Sequence, residues 1–248
     1  MVLYLFVMLL AADWLNEGGD ARRRNVQPLE RAITPARVGG LKLIWKQKLG
    51  DGAGLSSPVI MGRLITYRGT VELVFVAAAD GRVYAVDGDF GKIFWTRRVE
   101  VGAARCGAVA TPGLAPNAPG VDPDEDVEQP TRPLFVVSAD GVLQGLNPVD
   151  GMDVGAARTV GCVDGLVVKK GRAVGFRRGA LRPVVAGGVA FRLVPETGEL
   201  VGVEAGTGRE LFRSGAVGAT SSALAVANGH VCFTAGGVLY CFGFPEEH

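Results

Sequence analysis

The stretch that decides the fold runs from residue 78 to residue 95 and reads AADGRVYAVDGDFGKIFW. Together with the apolar residues 73–77 before it, the stretch contains three short runs rich in valine and aromatic residues, separated by Asp80-Gly81 and by a polar segment that ends at Gly91. Glycine in such segments supplies the positive φ that tight turns need. The stretch therefore predicts three consecutive antiparallel strands.

Related stretches follow three more times along the chain, beginning near Leu134, Glu196 and Cys232. The positions that recur at matching offsets are Asp80, Gly81, Asp87, Gly91 and Trp95 in the first unit, Asp140, Gly141, Asn147 and Gly151 in the second, and Gly198, Glu204, Gly208 and Phe212 in the third. Strand units repeated in this way stack radially, because one small sheet cannot bury both of its faces alone.

Each unit is preceded by a further apolar strand, which gives four strands per sheet. We expect these strands at Ser57–Ile60 with Leu64–Tyr67, at Ala108–Thr111, at Leu166–Val168 and at Ala223–Ala227. The fourth unit stops after its third strand, whereas LKLIWKQKL (residues 41–49) is an outer strand without a sheet, with Trp45 in the position of Trp95. The sequence predicts an all-β fold, a β-propeller of about four four-stranded antiparallel blades closed by this N-terminal outer strand.

Three regions follow along the chain. Residues 1–13 contain an apolar run that fits a signal peptide or the remnant of a membrane anchor, with a buried strand as the alternative. Residues 14–40 form an N-terminal arm, and residues 41–248 form the propeller domain. We expect the protein in the periplasm or outside the cell, with possible membrane proximity through its N-terminus.

Composition narrows the possible functions. The chain has 26 Lys and Arg against 25 Asp and Glu, a net charge of +1, which gives no broad basic surface for nucleic acid. Two histidines leave little material for a proton relay or a histidine-rich metal site. No nucleophile, zinc or phosphate-loop motif occurs, so the sequence offers little evidence for an enzyme.

For several candidate residues, the favoured interpretation is an ordinary structural role. Asp80, Asp87, Asp140 and Asn147 are expected to cap turns, and Trp45 and Trp95 to pack between blades. The acidic stretch from Leu114 to Pro133 offers Asp122, Asp124, Glu125, Asp126 and Glu128 to calcium, but a solvated loop is the favoured interpretation. The basic stretch from Lys169 to Arg182 is expected to be a surface loop, with contact to an acidic partner or to lipid headgroups as the alternative.

A disulfide between Cys232 and Cys241 follows from counting outward from a turn at Gly236-Gly237, which places the two residues directly opposite each other. Two small buried hydrophobic residues in a reduced protein are the alternative. We expect Cys106 and Cys162 to be free unless their strands are neighbours.

Residues 78–95 resemble the PQQ-like (quinoprotein-type) β-propeller repeat, A-x-D-G-x-x-Y-A-x-D-x-x-x-G-x-x-x-W, and residues 14–45 are similar to the lead-in of that family. The resemblance implies an exported propeller that is a quinone-dependent dehydrogenase or a non-catalytic scaffold. The adjacent cysteine pair that covers PQQ in the dehydrogenases has no counterpart here. We therefore expect a binding or scaffold module without a cofactor, which takes a protein or a small ligand at its rims. The alternative is a PQQ- and calcium-dependent alcohol or sugar dehydrogenase, or a truncated derivative of one.

Overall fold

The computed structural model describes residues 12–50, 54–99, 106, 109–114 and 132–245. Apart from a 3₁₀ helix at Val38–Gly40, the regular elements among them are strands. In chain order these are β1 (Val26–Gln27), β2 (Lys42–Lys48), β3 (Val59–Thr66), β4 (Gly69–Ala77), β5 (Arg82–Asp87), β6 (Ile93–Arg98), β7 (Gly113–Leu114), β8 (Leu134–Val137), β9 (Val142–Leu146), β10 (Asp153–Thr159), β11 (Gly165–Lys169), β12 (Arg172–Phe176), β13 (Val184–Ala186), β14 (Val189–Leu193), β15 (Leu200–Glu204), β16 (Glu210–Arg213), β17 (Ala225–Ala227), β18 (His230–Ala235) and β19 (Val238–Gly243). The predicted all-β class is confirmed.

The strands form four antiparallel blades. Blade I is β3-β4-β5-β6, blade II is β7-β8-β9-β10, blade III is β13-β14-β15-β16, and blade IV is β17-β18-β19. The strand β2 completes blade IV by pairing with β19, with Trp45 opposite Cys241 and Lys48 opposite Val238. The N-terminal strand therefore completes blade IV as predicted, because it covers the edge that β19 would otherwise leave open.

Two of the predicted first strands are misplaced. Leu166–Val168 does not begin blade III but lies in β11, which pairs with β12 in a separate two-stranded hairpin between blades II and III. Blade III begins with β13, which pairs with β14. In blade II the first strand is β7, and Thr111 forms an isolated bridge to Gly165 instead. Short apolar runs ending in glycine recur in this region, so pattern alone could not assign them to the right sheet.

The core consists of the apolar side chains at the interfaces between blades. Residues 73–77 of β4 are at most 4% exposed, so this strand is buried on both faces. One cluster of buried side chains joins the arm with blades I, III and IV, and a second joins blade I to blade II. A smaller third cluster joins blade II to the β11-β12 hairpin.

The two ends of the propeller carry different turns. Rim A is the end with Ser56-Ser57, the turns at residues 78–81 and 138–141, and Ser221-Ser222. Rim B is the opposite end, with the turns at residues 88–91, 148–151 and 228–229.

Candidate functional site

The arm runs along the centre of the propeller and is hydrogen-bonded to the first strands of blades I and II. Trp14 exchanges two backbone hydrogen bonds with Ile60 of β3, at 2.8 and 2.9 Å. One residue later, the carbonyl oxygen of Leu15 accepts the N–H of Leu114 in β7 at 2.8 Å. Trp14 is fully buried. Consecutive arm residues therefore join two neighbouring blades.

The same segment reaches the hairpin and the other two blades. The side-chain oxygen of Asn16 accepts the N–H of Val168 in β11 at 2.8 Å. Strand β1 pairs in parallel with β13 of blade III, and the side-chain amide of Gln27 donates to the carbonyl oxygen of Val226 in β17 at 3.1 Å. Residues 14–27 thus contact the first strand of every blade, and we call this segment the axial segment.

A buried ion pair holds the axial segment at the centre. The carboxylate of Glu17 is 4% exposed and accepts two hydrogen bonds from Nε of Arg178, at 2.9 and 3.0 Å, and a third from its Nη2. The Thr111 hydroxyl donates to the same carboxylate at 2.8 Å, and Arg23 lies 3.3 Å from it. The charge of Glu17 is therefore compensated in every direction, as burial of a carboxylate requires.

Arg178 follows the hairpin and lies at rim A. Its backbone N–H donates to the Asp164 carboxylate at 2.7 Å, and its Nη2 lies 2.9 Å from the Thr111 hydroxyl oxygen and 3.4 Å from that of Ser57. Its Nη1 donates to the carbonyl oxygen of Ser221 at 3.3 Å. One guanidinium group thus links blades I, II and IV, the hairpin and the axial segment.

A cavity of about 380 Å³ opens at rim A beside Arg178. Its walls come from blades I, II and IV and from the hairpin, and they consist of serine, alanine, glycine and aliphatic residues together with Cys106 and Arg178. Ser56 and Ser222 already hydrogen-bond backbone groups of their own blades. The cavity therefore suits a small polar group and offers no aromatic surface for stacking.

A second buried pair lies at rim B. Nδ1 of His230 lies 2.6 Å from the carboxylate of Glu72, which also accepts from the side-chain amide of Asn228 at 2.6 Å. Burial by itself lowers the pKa of His230, but the hydrogen bond and charge of Glu72 outweigh it, aided by Asp89 and Glu30, and the pKa of His230 lies above its usual value. Burial raises the pKa of Glu72.

This second pair fastens the chain just before the axial segment. The side chain of Asn228 accepts the backbone N–H of Ala12 at 2.6 Å and donates to its carbonyl oxygen at 3.0 Å. The neighbouring Gly229 N–H donates to Glu30 at 2.9 Å. His230 and Glu72 therefore position the turn that holds the arm. Among the described residues, no group of three or more His, Cys, Asp or Glu side chains is arranged to hold a metal.

The tryptophans of the repeat connect neighbouring blades. Nε1 of Trp45 donates to the carbonyl oxygen of Gly88 at 2.6 Å, and Nε1 of Trp95 donates to that of Pro148 at 2.8 Å. A Cβ at Gly91 would lie 2.6 Å from the Trp45 ring, so only glycine fits there. Gly151 lies against Trp95 in the same way.

The third unit has a phenylalanine in the corresponding position. Phe212 packs edge-on against Phe242 of blade IV, with ring centroids 6.2 Å apart. In blade II the position is Gly155, and there the hairpin intervenes before the next blade. The aromatic anchor is therefore present in each blade that is followed directly by another.

The polar repeat residues lie in turns. Oδ1 of Asp87 accepts the N–H groups of Asp89 and Phe90, each at 3.0 Å, and Oδ1 of Asn147 accepts that of Val149 at 2.9 Å. Oδ1 of Asp80 accepts the Arg82 N–H at 3.0 Å, Asp140 accepts from Ser138, and Glu204 accepts from Thr207. Each of Gly81, Gly141, Gly198 and Gly208 has a positive φ.

All four cysteines are bonded in pairs in the structure. Cys232 lies opposite Cys241 in the β18-β19 register, and their sulfur atoms are joined. Cys106 is joined to Cys162, two residues that we expected to be free unless their strands were neighbours. The bond forms because both residues flank the turn at 138–141: Cys106 N–H donates to Ala139, and the chain just before Cys162 packs on Gly141.

Sequence reasoning missed Glu17, Arg178, Glu72 and His230 as partners, since their pairings join positions more than 150 residues apart. Residues 1–11 of the segment 1–13 predicted as a signal peptide lie outside the described residues. The same holds for the acidic residues Asp122, Asp124, Glu125, Asp126 and Glu128 and for His248. Within the described ranges, no helix is long and apolar enough to cross a membrane.

No protein-family model matches the chain, and no curated protein matches it either. A quinohemoprotein alcohol dehydrogenase from Comamonas testosteroni is 21% identical over 83% of this chain and 27% of its own, with a TM-score of 0.42. A europium-containing methanol dehydrogenase is 18% identical over 82% of this chain and 32% of its own, with a TM-score of 0.40. BamB from Moraxella catarrhalis is 15% identical over 79% of this chain and 83% of its own, with a TM-score of 0.30. The chain spans about a quarter to a third of the two dehydrogenases, and the likeness concerns the fold alone.

Proposed function

We propose that this chain is an exported, non-catalytic PQQ-like propeller that acts as a binding or scaffold module. The observation that carries the proposal is the axial segment, whose residues bond to the first strand of each blade along the centre of the propeller. The polar groups that converge there, Glu17, Arg178 and Thr111, satisfy one another. They hold the fold together and have little capacity left for a substrate.

The alternative, a PQQ-dependent dehydrogenase, requires a place for a planar quinone with calcium. The rim A cavity fits this group poorly, since no aromatic ring lines it and its one guanidinium group is already paired with Glu17. Calcium prefers six to eight oxygen ligands, and no cluster of three or more acidic, histidine or cysteine side chains occurs among the described residues. These features favour binding over oxidation.

The cysteines support the proposed location. Pairing of all four leaves no free thiol. Disulfides persist in the periplasm and outside the cell and are rare in the reducing cytosol.

Calorimetry with PQQ and Ca²⁺ on the full chain tests the proposal, together with dye reduction in the presence of an alcohol and sugar panel. We expect no micromolar binding and no dye reduction. The variant Ala79→Tyr, which narrows the rim A cavity at an exposed lining residue, is the matched control. Binding at micromolar affinity or tighter that this variant abolishes would overturn the proposal in favour of the dehydrogenase.

A further inference from the structure

The β11-β12 hairpin has half the strands of a blade. It lies between blades II and III in chain order and packs against blade II, but β12 has no further strand on its outer side among the described residues. Residues 177–183, which follow β12, form no strand. Among the described residues the outer edge of β12 is therefore not paired with another strand.

The turn fixes which backbone groups lie on this edge. Lys170 and Gly171 both have positive φ, 49° and 70°, so they form a two-residue hairpin turn. Counting outward from the turn, Arg172 and Val174 bond to β11, whereas Ala173 and Gly175 direct their N–H and C=O groups outward. The carbonyl oxygen of Ala173 accepts from Arg158, and no hydrogen-bond partner among the described residues is found for the N–H of Ala173 or for either group of Gly175.

The edge of β12 differs from the outer edges of the four blades. Each outermost blade strand, β2, β6, β10 and β16, is joined to its neighbour through a pairing with a register shift. Such irregularities twist an edge and discourage pairing with another chain. The β11-β12 pairing runs through five consecutive residue pairs without a shift, so the edge of β12 is regular.

Charge indicates what would pair with this edge. The basic residues of the segment 165–182 are Lys169, Lys170, Arg172, Arg177, Arg178 and Arg182, and the segment contains no Asp or Glu. Within the described part of the chain, Lys169, Lys170 and Arg172 form no ion pair, and all three are exposed. The Val174 side chain, two residues after Arg172 and on the same face of the hairpin, is 55% exposed. The surface therefore combines positive charge with a small apolar contact.

We propose that an extended acidic segment of a partner protein adds to the edge of β12 as a third strand. Its backbone pairs with the N–H of Ala173 and with the N–H and carbonyl groups of Gly175, its carboxylates contact Lys169 and Arg172, and its small apolar residues cover Val174. This inference rests on the proposed binding role and names the chemistry of the partner.

A synthetic, fluorescently labelled peptide of seven residues that alternates glutamate and valine is the probe, titrated with the full chain and followed by fluorescence anisotropy. The double variant K169E/R172E reverses two exposed charges, one on each strand of the hairpin, and K46E/K48E reverses two charges on the irregular edge strand β2. We expect K169E/R172E to weaken binding at least tenfold and K46E/K48E to weaken it less than twofold. Equal effects of the two variants, or no binding below 1 mM, would overturn the inference.

Backbone pairing is tested with two further peptides, N-methylated on one or the other set of alternate residues. In an added strand the N–H groups of one set of alternate residues face β12, and those of the other set face away. The peptide methylated on the facing set should lose binding while the other keeps it, and equal affinities would overturn the inference. Binding of phosphatidylglycerol vesicles through Lys169 and Arg172, without binding of the peptide, would replace the acidic peptide by a lipid surface. None of these failures would alter the PQQ result, which tests the proposed function separately.

Discussion

Replacing Glu17 by glutamine should destabilise the whole propeller, because it removes the charge that compensates Arg178 at the centre while preserving the shape of the side chain. The Glu17 carboxylate is 4% exposed, whereas the Arg178 side chain is 21% exposed. Water therefore solvates part of the Arg178 charge that the change leaves without its partner. Breaking a buried ion pair from one side costs about 3–5 kcal/mol, and the partial exposure of Arg178 places the expected loss near the lower end.

In a chain of this size about 1 kcal/mol lowers the melting temperature by roughly 2–4 °C, so we expect E17Q to melt roughly 6–12 °C below the unchanged protein. Thermal and urea unfolding followed by far-UV circular dichroism measure the loss. Asp20→Asn is the matched control, since Asp20 pairs with Arg24 on the exposed side of the same arm and such a pair contributes about 0–1 kcal/mol.

The double variant E17M/R178M separates charge from packing. It removes both partners, and exchanging a buried pair for apolar side chains of similar volume is often neutral. We therefore expect it to be more stable than E17Q. Equal melting temperatures of E17Q and D20N would refute the role of this pair. A loss of stability in the double variant equal to the summed losses of its two single variants would refute it as well.

Three further predictions follow from the blade contacts. Trp45→Ala should cost about 3–5 kcal/mol and Trp45→Phe less, because phenylalanine keeps the ring against Gly91 and loses the bond to Gly88; equal urea midpoints for the two would contradict this. Peptide mapping without reductant should recover Cys232 linked to Cys241 and Cys106 linked to Cys162; alkylation of all four in the unfolded, unreduced chain would rule both bonds out. His230→Gln should destabilise the protein most below about pH 6.5, because the protonated ring pairs with Glu72. The loss should become smaller as the pH rises through the raised folded-state pKa of His230. A difference in urea midpoint between the variant and the unchanged protein that is the same at pH 6 and pH 9 would contradict this.

The sequence predicts the parts of the fold that depend on local pattern. The turn at Gly236-Gly237 fixes the register that sets Cys232 opposite Cys241, and the unpaired outer strand with Trp45 fits the unpaired end of blade IV. Both follow from counting residues along the chain.

Contacts between distant segments could not be predicted in this way. The place of Leu166–Val168 in a separate hairpin depends on its packing against blade II, which a short apolar run does not reveal. The central position of the arm depends on single hydrogen bonds from Leu15, Asn16 and Gln27 to different sheets. No repeat or spacing marks these residues.

Hydrogen exchange of the full chain and of Trp14→Ala tests most directly whether the axial segment links all four blades. Trp14 is fully buried, and among the described residues its backbone hydrogen bonds are made to β3 of blade I. If the axial segment holds the first strands together, the variant should lose amide protection in β3, β7, β13 and β17 by similar factors. Loss confined to β3, with unchanged protection in the other three strands, would contradict the account.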